Sequence, residues 1–242
     1  DILQNRMMNG MMSELGVYLD AAEEIPASST SYRPESCTDY EAGVRFGFNA
    51  AGHFLTASAT AYHISCRNQQ ITVFPHGKGT GRMMANAAKS RSRGVESELS
   101  WRWKGLNVNL SASFMDARFV SYDDGHEDYS GNRIPYSPSS SLYARAGYRF
   151  VFNSKVLNSL MLSADILWNG SISWNESGTL FQPPYSLFGL DARLFFRKVQ
   201  FFVRGENLAD TCYSVFYFKS VGNSFFQTGK PRRFNAGIAL DF

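Results

Sequence analysis

No apolar run in the 242 residues approaches the ~20 residues that a membrane-spanning helix requires. Charged residues are scarce at 19%, and Lys and Arg nearly balance Asp and Glu at a net +3. No Lys/Arg run forms a basic stripe, so nucleic acid is not an expected partner. The three cysteines, Cys37, Cys66 and Cys212, have neither CxxC nor metal-ligand spacing, which leaves isolated thiols or one disulfide. The four histidines (His53, His63, His76, His126) show no HExxH or paired spacing. GxSxG and a phosphate-cradling Gly loop are missing as well, so no enzyme and no cofactor are expected. The chain opens at Asp1 with no Met and no signal peptide, the start expected of a processed chain or of a piece of a longer one.

What the sequence does have is aromatic residues, at 15% with 20 Phe, and a repeated period-two alternation. Val95, Ser97, Leu99, Trp101 and Trp103 alternate with Glu96, Glu98, Ser100 and Arg102. Leu106, Val108, Leu110, Ala112 and Phe114 alternate with Asn and Ser. Similar stretches run over 142–150, 188–196 and 234–242. The mean hydropathy of −0.26 suggests a soluble protein, but alternating strands average out on such a scale. Full charges stand in mid-strand on the polar phase: Glu96 with Glu98, Arg145 with Arg149, Asp191 with Arg193. A small soluble barrel would bury that face, at several kcal/mol for each unpaired charge. A wide, wet lumen tolerates them. The apolar phase tends to end in aromatics (Tyr40, Trp103, Tyr148, Phe242), as interfacial girdles do.

Nine strands are expected at 39–49, 53–74, 87–103, 106–121, 139–150, 158–173, 184–196, 199–218 and 231–242. Their connections alternate short (50–52, 104–105, 151–157, 197–198) and long (75–86, 122–138, 174–183, 219–230). Short periplasmic turns alternating with long external loops is the outer-membrane barrel pattern, and it puts Phe242 on the periplasmic side. Residues 1–38 read as an external loop or short-helix segment leading into the barrel, residues 39–242 as its strands. Met7, Met8, Met11 and Met12 suit space-filling against the barrel better than ligand contact. Nine strands do not close a single-chain barrel of even strand number, and an open edge in lipid leaves unpaired N–H and C=O groups.

Six phrases, in order, resemble the C-terminal half of TonB-dependent outer-membrane receptors. They are Arg33-Pro34-Glu35-Ser36 with Asp39-Tyr40-Glu41-Ala42-Gly43; Ala59-Thr60-Ala61-Tyr62-His63-Ile64 with Arg67-Asn68-Gln69-Gln70-Ile71; Ser92-Arg93-Gly94-Val95-Glu96; Gly131-Asn132-Arg133-Ile134-Pro135; Glu206-Asn207-Leu208-Ala209-Asp210 with Tyr213; and Gly229-Lys230-Pro231-Arg232-Arg233-Phe234. Ala209 stands where the family usually has Phe. The resemblance implies an all-β, transmembrane, antiparallel up-and-down β-barrel, these nine strands being the C-terminal part of roughly twenty-two. It implies a Gram-negative outer-membrane location among outer-membrane lipid and import of a scarce ligand, an iron–siderophore complex, energised by TonB through a plug. Neither plug nor TonB box is visible here. The terminal Phe242 resembles the signal read by the barrel-assembly machinery. The alternatives are a passive pore or structural barrel half paired with another polypeptide, an outer-membrane protease or lipase, and a soluble β-sandwich.

Candidate ligand contacts are aromatic and polar loop residues at the lumen mouth: His76, Lys78, Tyr122, His126, Tyr129, Trp174, Phe181, Tyr217, Phe225, Phe226 and Lys230. Each also suits a girdle or loop-packing role. Glu96 and Glu98 share a face but read as lumen lining rather than a catalytic pair. Residues 123–128, rich in Asp and Glu, suit a solvated loop better than a Ca²⁺ site, because the EF-hand spacing is missing. No metal site is expected.

Overall fold

The computed structural model describes residues 34–73, 83–123, 127–220 and 223–240. The segment 1–33, the candidates His76, Lys78 and His126, and Phe242 lie outside the described residues. Thirteen strands are formed: β1 Ser36–Ala50, β2 His53–Val73, β3 Met83–Trp103, β4 Leu106–Ser121, β5 Ser140–Val151, β6 Leu157–Asn169, β7 Ile172–Ser173, β8 Phe181–Gln182, β9 Tyr185–Phe196, β10 Val199–Glu206, β11 Ser214–Ser220, β12 Asn223–Thr228 and β13 Arg233–Leu240. Nine of them make one open sheet in the order β1-β2-β3-β4-β5-β6-β9-β10-β13, every pair antiparallel. No helix occurs among the described residues, so none is long and apolar enough to cross a membrane.

The register turns the alternation of the sequence into rows across the sheet. Phe48, Leu55, Trp101, Val108, Ala146, Ala164, Leu190, Gly205 and Phe234 face one another in one nine-strand row without a polar side chain. The row one residue along, on the opposite face, is Asn49, Phe54, Arg102, Asn107, Gly147, Ser163, Asp191, Arg204 and Asn235. Successive side chains of a strand point to opposite faces, so the sheet has one apolar and one polar side. Among the described residues, no second layer covers the apolar side. Leu110 is 40% exposed, Phe188 45% and Phe234 69%, whereas among the described residues the buried apolar ones are confined to Ala117, Phe119, Tyr122, Trp174 and Tyr217. Leu99 and Trp101 are half-buried, and no compact interior gathers the apolar phase as a soluble sandwich would. A sheet whose greasy face has no protein cover suits a hydrocarbon solvent.

Short turns stand at one end of the sheet and long connections at the other. Ala51 and Gly52, with φ of 52° and 77°, make a two-residue hairpin turn that has positive φ at both central positions. At the β9–β10 turn, the Asn158 side chain accepts from Arg197 N–H and Arg197 Nε donates to the Lys155 carbonyl, tying two neighbouring turns together. His53, Trp101 and Trp103 stack at this end with ring planes within 4°, and the indole of Trp101 donates to His53 Nδ1 at 3.2 Å.

Two expected strands are shorter than the alternation suggests. The expected strand 158–173 leaves the sheet after Asn169. Gly170 sits so close to Ser139 and Ser140 that a Cβ there would lie 2.5 Å from both hydroxyls, and the chain then pairs as β7 with β8. The expected strand 199–218 stops at Glu206. Asn207 and Asp210 take φ of 48° and 54°, a left-handed conformation that Asn and Asp tolerate. The chain resumes as β11, which pairs with β12 in a separate hairpin above the sheet. Cys37 and Cys66, facing each other on β1 and β2, form a disulfide, and Cys212 is free and exposed.

Candidate functional site

On the polar face the mid-strand charges meet. Asp191 is buried and accepts from Arg193 Nε at 2.8 Å and Arg145 Nη2 at 3.4 Å. Arg145 also reaches Ser163 Oγ at 2.8 Å. One ladder step away, Arg204 forks onto Asp165, at 3.0 and 3.3 Å, and reaches Glu206 at 3.0 Å, which in turn pairs with Arg233. Bidentate Arg–carboxylate pairing fixes orientation as well as charge. These bonds form two adjoining clusters, one over β5, β6 and β9 and the other over β6, β10 and β13, which together make an ion network on the polar face. Gly189 makes room for it, since a Cβ there would stand 2.6 Å from Asp165 Oδ2. Glu96 and Glu98 project from the same face of β3, exposed, and Glu98 lines a cleft with Arg45, Asn109 and Tyr143.

The long connections pack together at their end of the sheet. The Tyr136 hydroxyl donates to the Tyr217 carbonyl at 2.7 Å, and its ring lies 5.6 Å from both Trp174 and Phe216. Asn132 Nδ2 donates to the Glu176 carbonyl at 3.0 Å. One contact network thus joins the β4–β5 loop, the β6–β9 loop and the β11–β12 hairpin. Tyr122 packs on Phe119 and Tyr129 with ring centroids 4.9 and 5.2 Å apart, closing the base of the β4–β5 loop. In the same loop, hydrogen bonds from Ser130 hold the Asp128 carboxyl below the usual carboxylate range.

The sequence-derived candidates fall into two sets. Tyr122, Trp174 and Tyr217 are buried in loop packing. Phe181, Phe225 and Phe226 present large apolar surface, at 58%, 45% and 55% exposure, and Phe226 also packs on Tyr217 with the two rings tilted. Tyr129 is half-buried beside Tyr122. Lys230 lines a cleft of about 250 Å³ with Tyr143, Asp165, Arg204, Glu206, Tyr213 and Arg233. This cleft joins the inner ion network to the loop end. Sequence reading did not single out Asp165, Arg204 or Arg233 as site residues; the usable signal was a charge at the polar phase of an otherwise neutral strand. Glu35, Cys37 and Cys66 lie within 4.8 Å of one another, but the two sulfurs are bonded to each other and are not free thiolate ligands.

Asn207 holds the loop end to the wall. Its Nδ2 donates to the carbonyls of Thr211 and Lys230, at 2.9 and 3.1 Å, and its Oδ1 accepts from Thr211 N–H at 2.9 Å. Tyr213 then packs against Gly229, where any Cβ would overlap its ring. This explains why the phrase from Glu206 to Asp210 and the phrase from Gly229 to Phe234, remote in sequence, are neighbours in space.

Comparison with known proteins gives the same architecture. A family described as TonB dependent receptor-like, beta-barrel, matches residues 16–208. The ferric yersiniabactin uptake receptor of Yersinia pestis superposes with a TM-score of 0.69 at 19% identity, covering 86% of this chain and 30% of that one. The ferric preacinetobactin receptor of Acinetobacter baumannii gives 0.69 at 17% identity, covering 90% and 32%. The ferripyoverdine receptor of Pseudomonas aeruginosa, bound to ferripyoverdine, gives 0.62 at 19% identity, covering 87% and 28%. The chain thus spans about a third of the length of the structures it matches.

Proposed function

The chain belongs to the TonB-dependent receptor β-barrel family and is an outer-membrane barrel segment, and from that premise we propose that it takes part in uptake of a scarce iron–siderophore chelate. It supplies wall and external loops. The observation that carries the reading is the cleft at the mouth, where Lys230, Tyr143, Tyr213 and Arg233 converge, together with the exposed rings that Phe225 and Phe226 present on the β11–β12 hairpin. Chelates of this kind combine apolar or aromatic bodies with a few anionic oxygens, and such a mouth offers apolar surface with placed cations. Energy input from TonB would act through plug residues in the part of the relatives' length that this chain does not span.

The test is iron uptake in cells for which this receptor is the sole route for ferric chelates. Uptake of radiolabelled iron that requires TonB, and that falls at least tenfold when Phe225, Phe226 and Lys230 are replaced together by Ser, supports the reading. Uptake that persists without TonB and scales linearly with ligand concentration favours a passive pore instead.

A further inference from the structure

Most arginines on the polar face of the sheet are matched by a carboxylate. Arg145 and Arg193 share Asp191, Arg204 holds Asp165 and Glu206, and Arg233 holds Glu206. Arg45 shares a cleft with Glu98. Arg102 and Arg149 differ: among the described residues, neither has a carboxylate partner. Arg102 lies in the same inward row as Asp191 and Arg204. Arg149, two residues beyond Gly147 of that row, points to the same side one row nearer the short turns. The two backbones are about 12 Å apart, across two strands and one row.

These two arginines line a cleft of about 600 Å³ at the short-turn end, the end that faces the periplasm in outer-membrane barrels. Lys104, Gly105, Asn107 and Met161 also line it, and none of its lining residues is a carboxylate. Both guanidiniums are laid against rings. Arg102 stands 5.4 Å from the centroid of Phe54, and Arg149 4.6 Å from that of Phe195. A ring covers the flat face of a guanidinium and leaves its N–H edge open. Arg149 uses Nε on Ser159 Oγ at 3.0 Å, and its Nη groups face the cleft unclaimed by any carboxylate. Lys104 is turned away, its Nζ 4.7 Å over the ring of outward-facing Trp103. The site therefore rests on the two arginines.

We propose that Arg102 and Arg149 form a second anion site, at the periplasmic end of the lumen, which holds a negatively charged iron chelate after it has left the mouth. The inference rests on the uptake reading above and adds the charge of the ligand and its side of exit. Both guanidiniums face the lumen, which excludes a lipid headgroup as the ligand. The volume lies within the range of small-molecule sites. Planar N–H forks suit the oxygens of an anionic chelate. Tyr143 of the mouth cleft and Arg149 are both on β5, about 20 Å apart along the strand. Between them Arg145 and Arg193 share the single carboxylate of Asp191, so the wall stays cationic from one cleft to the other. On β1 to β3 the same face carries exposed Glu41, Glu96 and Glu98, which turn an anion toward the β5 side.

The test uses the receptor purified from the outer membrane in neutral-detergent micelles. Equilibrium dialysis counts binding of a radio-iron-labelled hexadentate ferric tricatecholate, a trianion, and of a neutral ferric trihydroxamate. Two trianion sites per chain are expected, with the neutral chelate excluded from the weaker one. Arg102→Gln with Arg149→Gln is expected to weaken that site about 100-fold, at about tenfold for each charged donor lost, and to leave the other unchanged. Replacing Phe225, Phe226 and Lys230 together by Ser is expected to do the reverse. Arg102→Gln alone breaks no hydrogen bond to the sheet among the described residues. It is expected to weaken the exit site about tenfold, and it decides the matter if the double variant fails to insert. A single site that only the mouth substitutions remove, an exit site unchanged in the Arg102 variant, or equal affinity there for the neutral chelate overturns this assignment alone. No binding of either chelate at either cleft overturns the uptake reading along with it.

Discussion

Asn207→Ala is the substitution that most directly tests how the loops are fixed to the wall. The amide is 6% exposed and makes three hydrogen bonds, two to Thr211 and one to the Lys230 carbonyl. Losing a buried bond costs about 1 kcal/mol, more where a backbone group is left without a partner. A further ~1 kcal/mol comes from holding Ala at a φ of 48°. The sum is about 4 kcal/mol against the 207–232 loop, while the ladders on both sides of β10 stay intact. The loss therefore falls on docking of the β11–β12 hairpin before it falls on the barrel. Asn207→Gly removes the same bonds without the strain, so it should be milder than Ala by about 1 kcal/mol. Asn207→Asp keeps the acceptor for Thr211 N–H but turns two donors into an oxygen facing two carbonyls, and should be no better than Ala. The assay is limited proteolysis within 207–232, read against urea unfolding in phospholipid vesicles by tryptophan fluorescence. If Asn207→Ala leaves the cleavage rate in 207–232 unchanged, the anchoring role of the amide is refuted.

Asp165→Asn should destabilise by about 3 kcal/mol, the lower end of the range for a buried pair because Arg204 keeps Glu206, and urea unfolding of the variant checks it. Gly189→Ala should act in the same direction by displacing the Asp165 carboxylate, and a double variant with Asp165→Asn should show strong non-additivity. Thiol titration of the denatured, unreduced protein should give one reactive group per chain, Cys212, and three after reduction. Lipids with brominated acyl chains should quench Trp101 and Trp103, which lie on the outward face, and spare buried Trp174. Quenching of Trp174 equal to that of Trp101 would contradict the assigned faces.

The order and polarity of the main sheet were legible in the sequence because period two is written into each strand. The row from Phe48 to Phe234 is the alternation itself laid side by side. The strand ends were less legible, because hydrophobicity continues where pairing stops. Val215, Phe216 and Tyr217 continue the apolar character of Phe201–Val203, so nothing in the pattern shows that β10 ends at Glu206. The signal lay in Asn207 and Asp210, residues that favour positive φ, inside a phrase read for its family resemblance rather than for its turn chemistry. The candidate site divides in the same way. Arg145, Asp191 and Arg193 were identifiable as lumen charges, but that Arg145 and Arg193 share Asp191, and that Arg204 forks onto Asp165, depends on register across four strands. The aromatic residues of the long connections were identifiable as loop residues. Which rings are buried, as Tyr122 and Trp174 are, and which stand free, as Phe181 does, depends on contacts between loops remote in sequence.

The two faces also explain why this sheet does not fold as a soluble sandwich. Burying the apolar rows against a second sheet would leave the polar face in water, where its charges are at ease. That face is instead networked along the wall, with Asp191 and Asp165 almost wholly covered by Arg145, Arg193 and Arg204. Carboxylates sheathed in guanidinium suit the inner wall of a lumen, not an open surface, where exposed pairs contribute little. The edges point the same way. β1 and β13 each leave a row of N–H and C=O groups without strand partners in this sheet, and in hydrocarbon every such group costs several kcal/mol. Apolar rows facing lipid, sheathed carboxylates facing the lumen, and two edges that need strands are jointly satisfied by one geometry, a wall that closes on further strands.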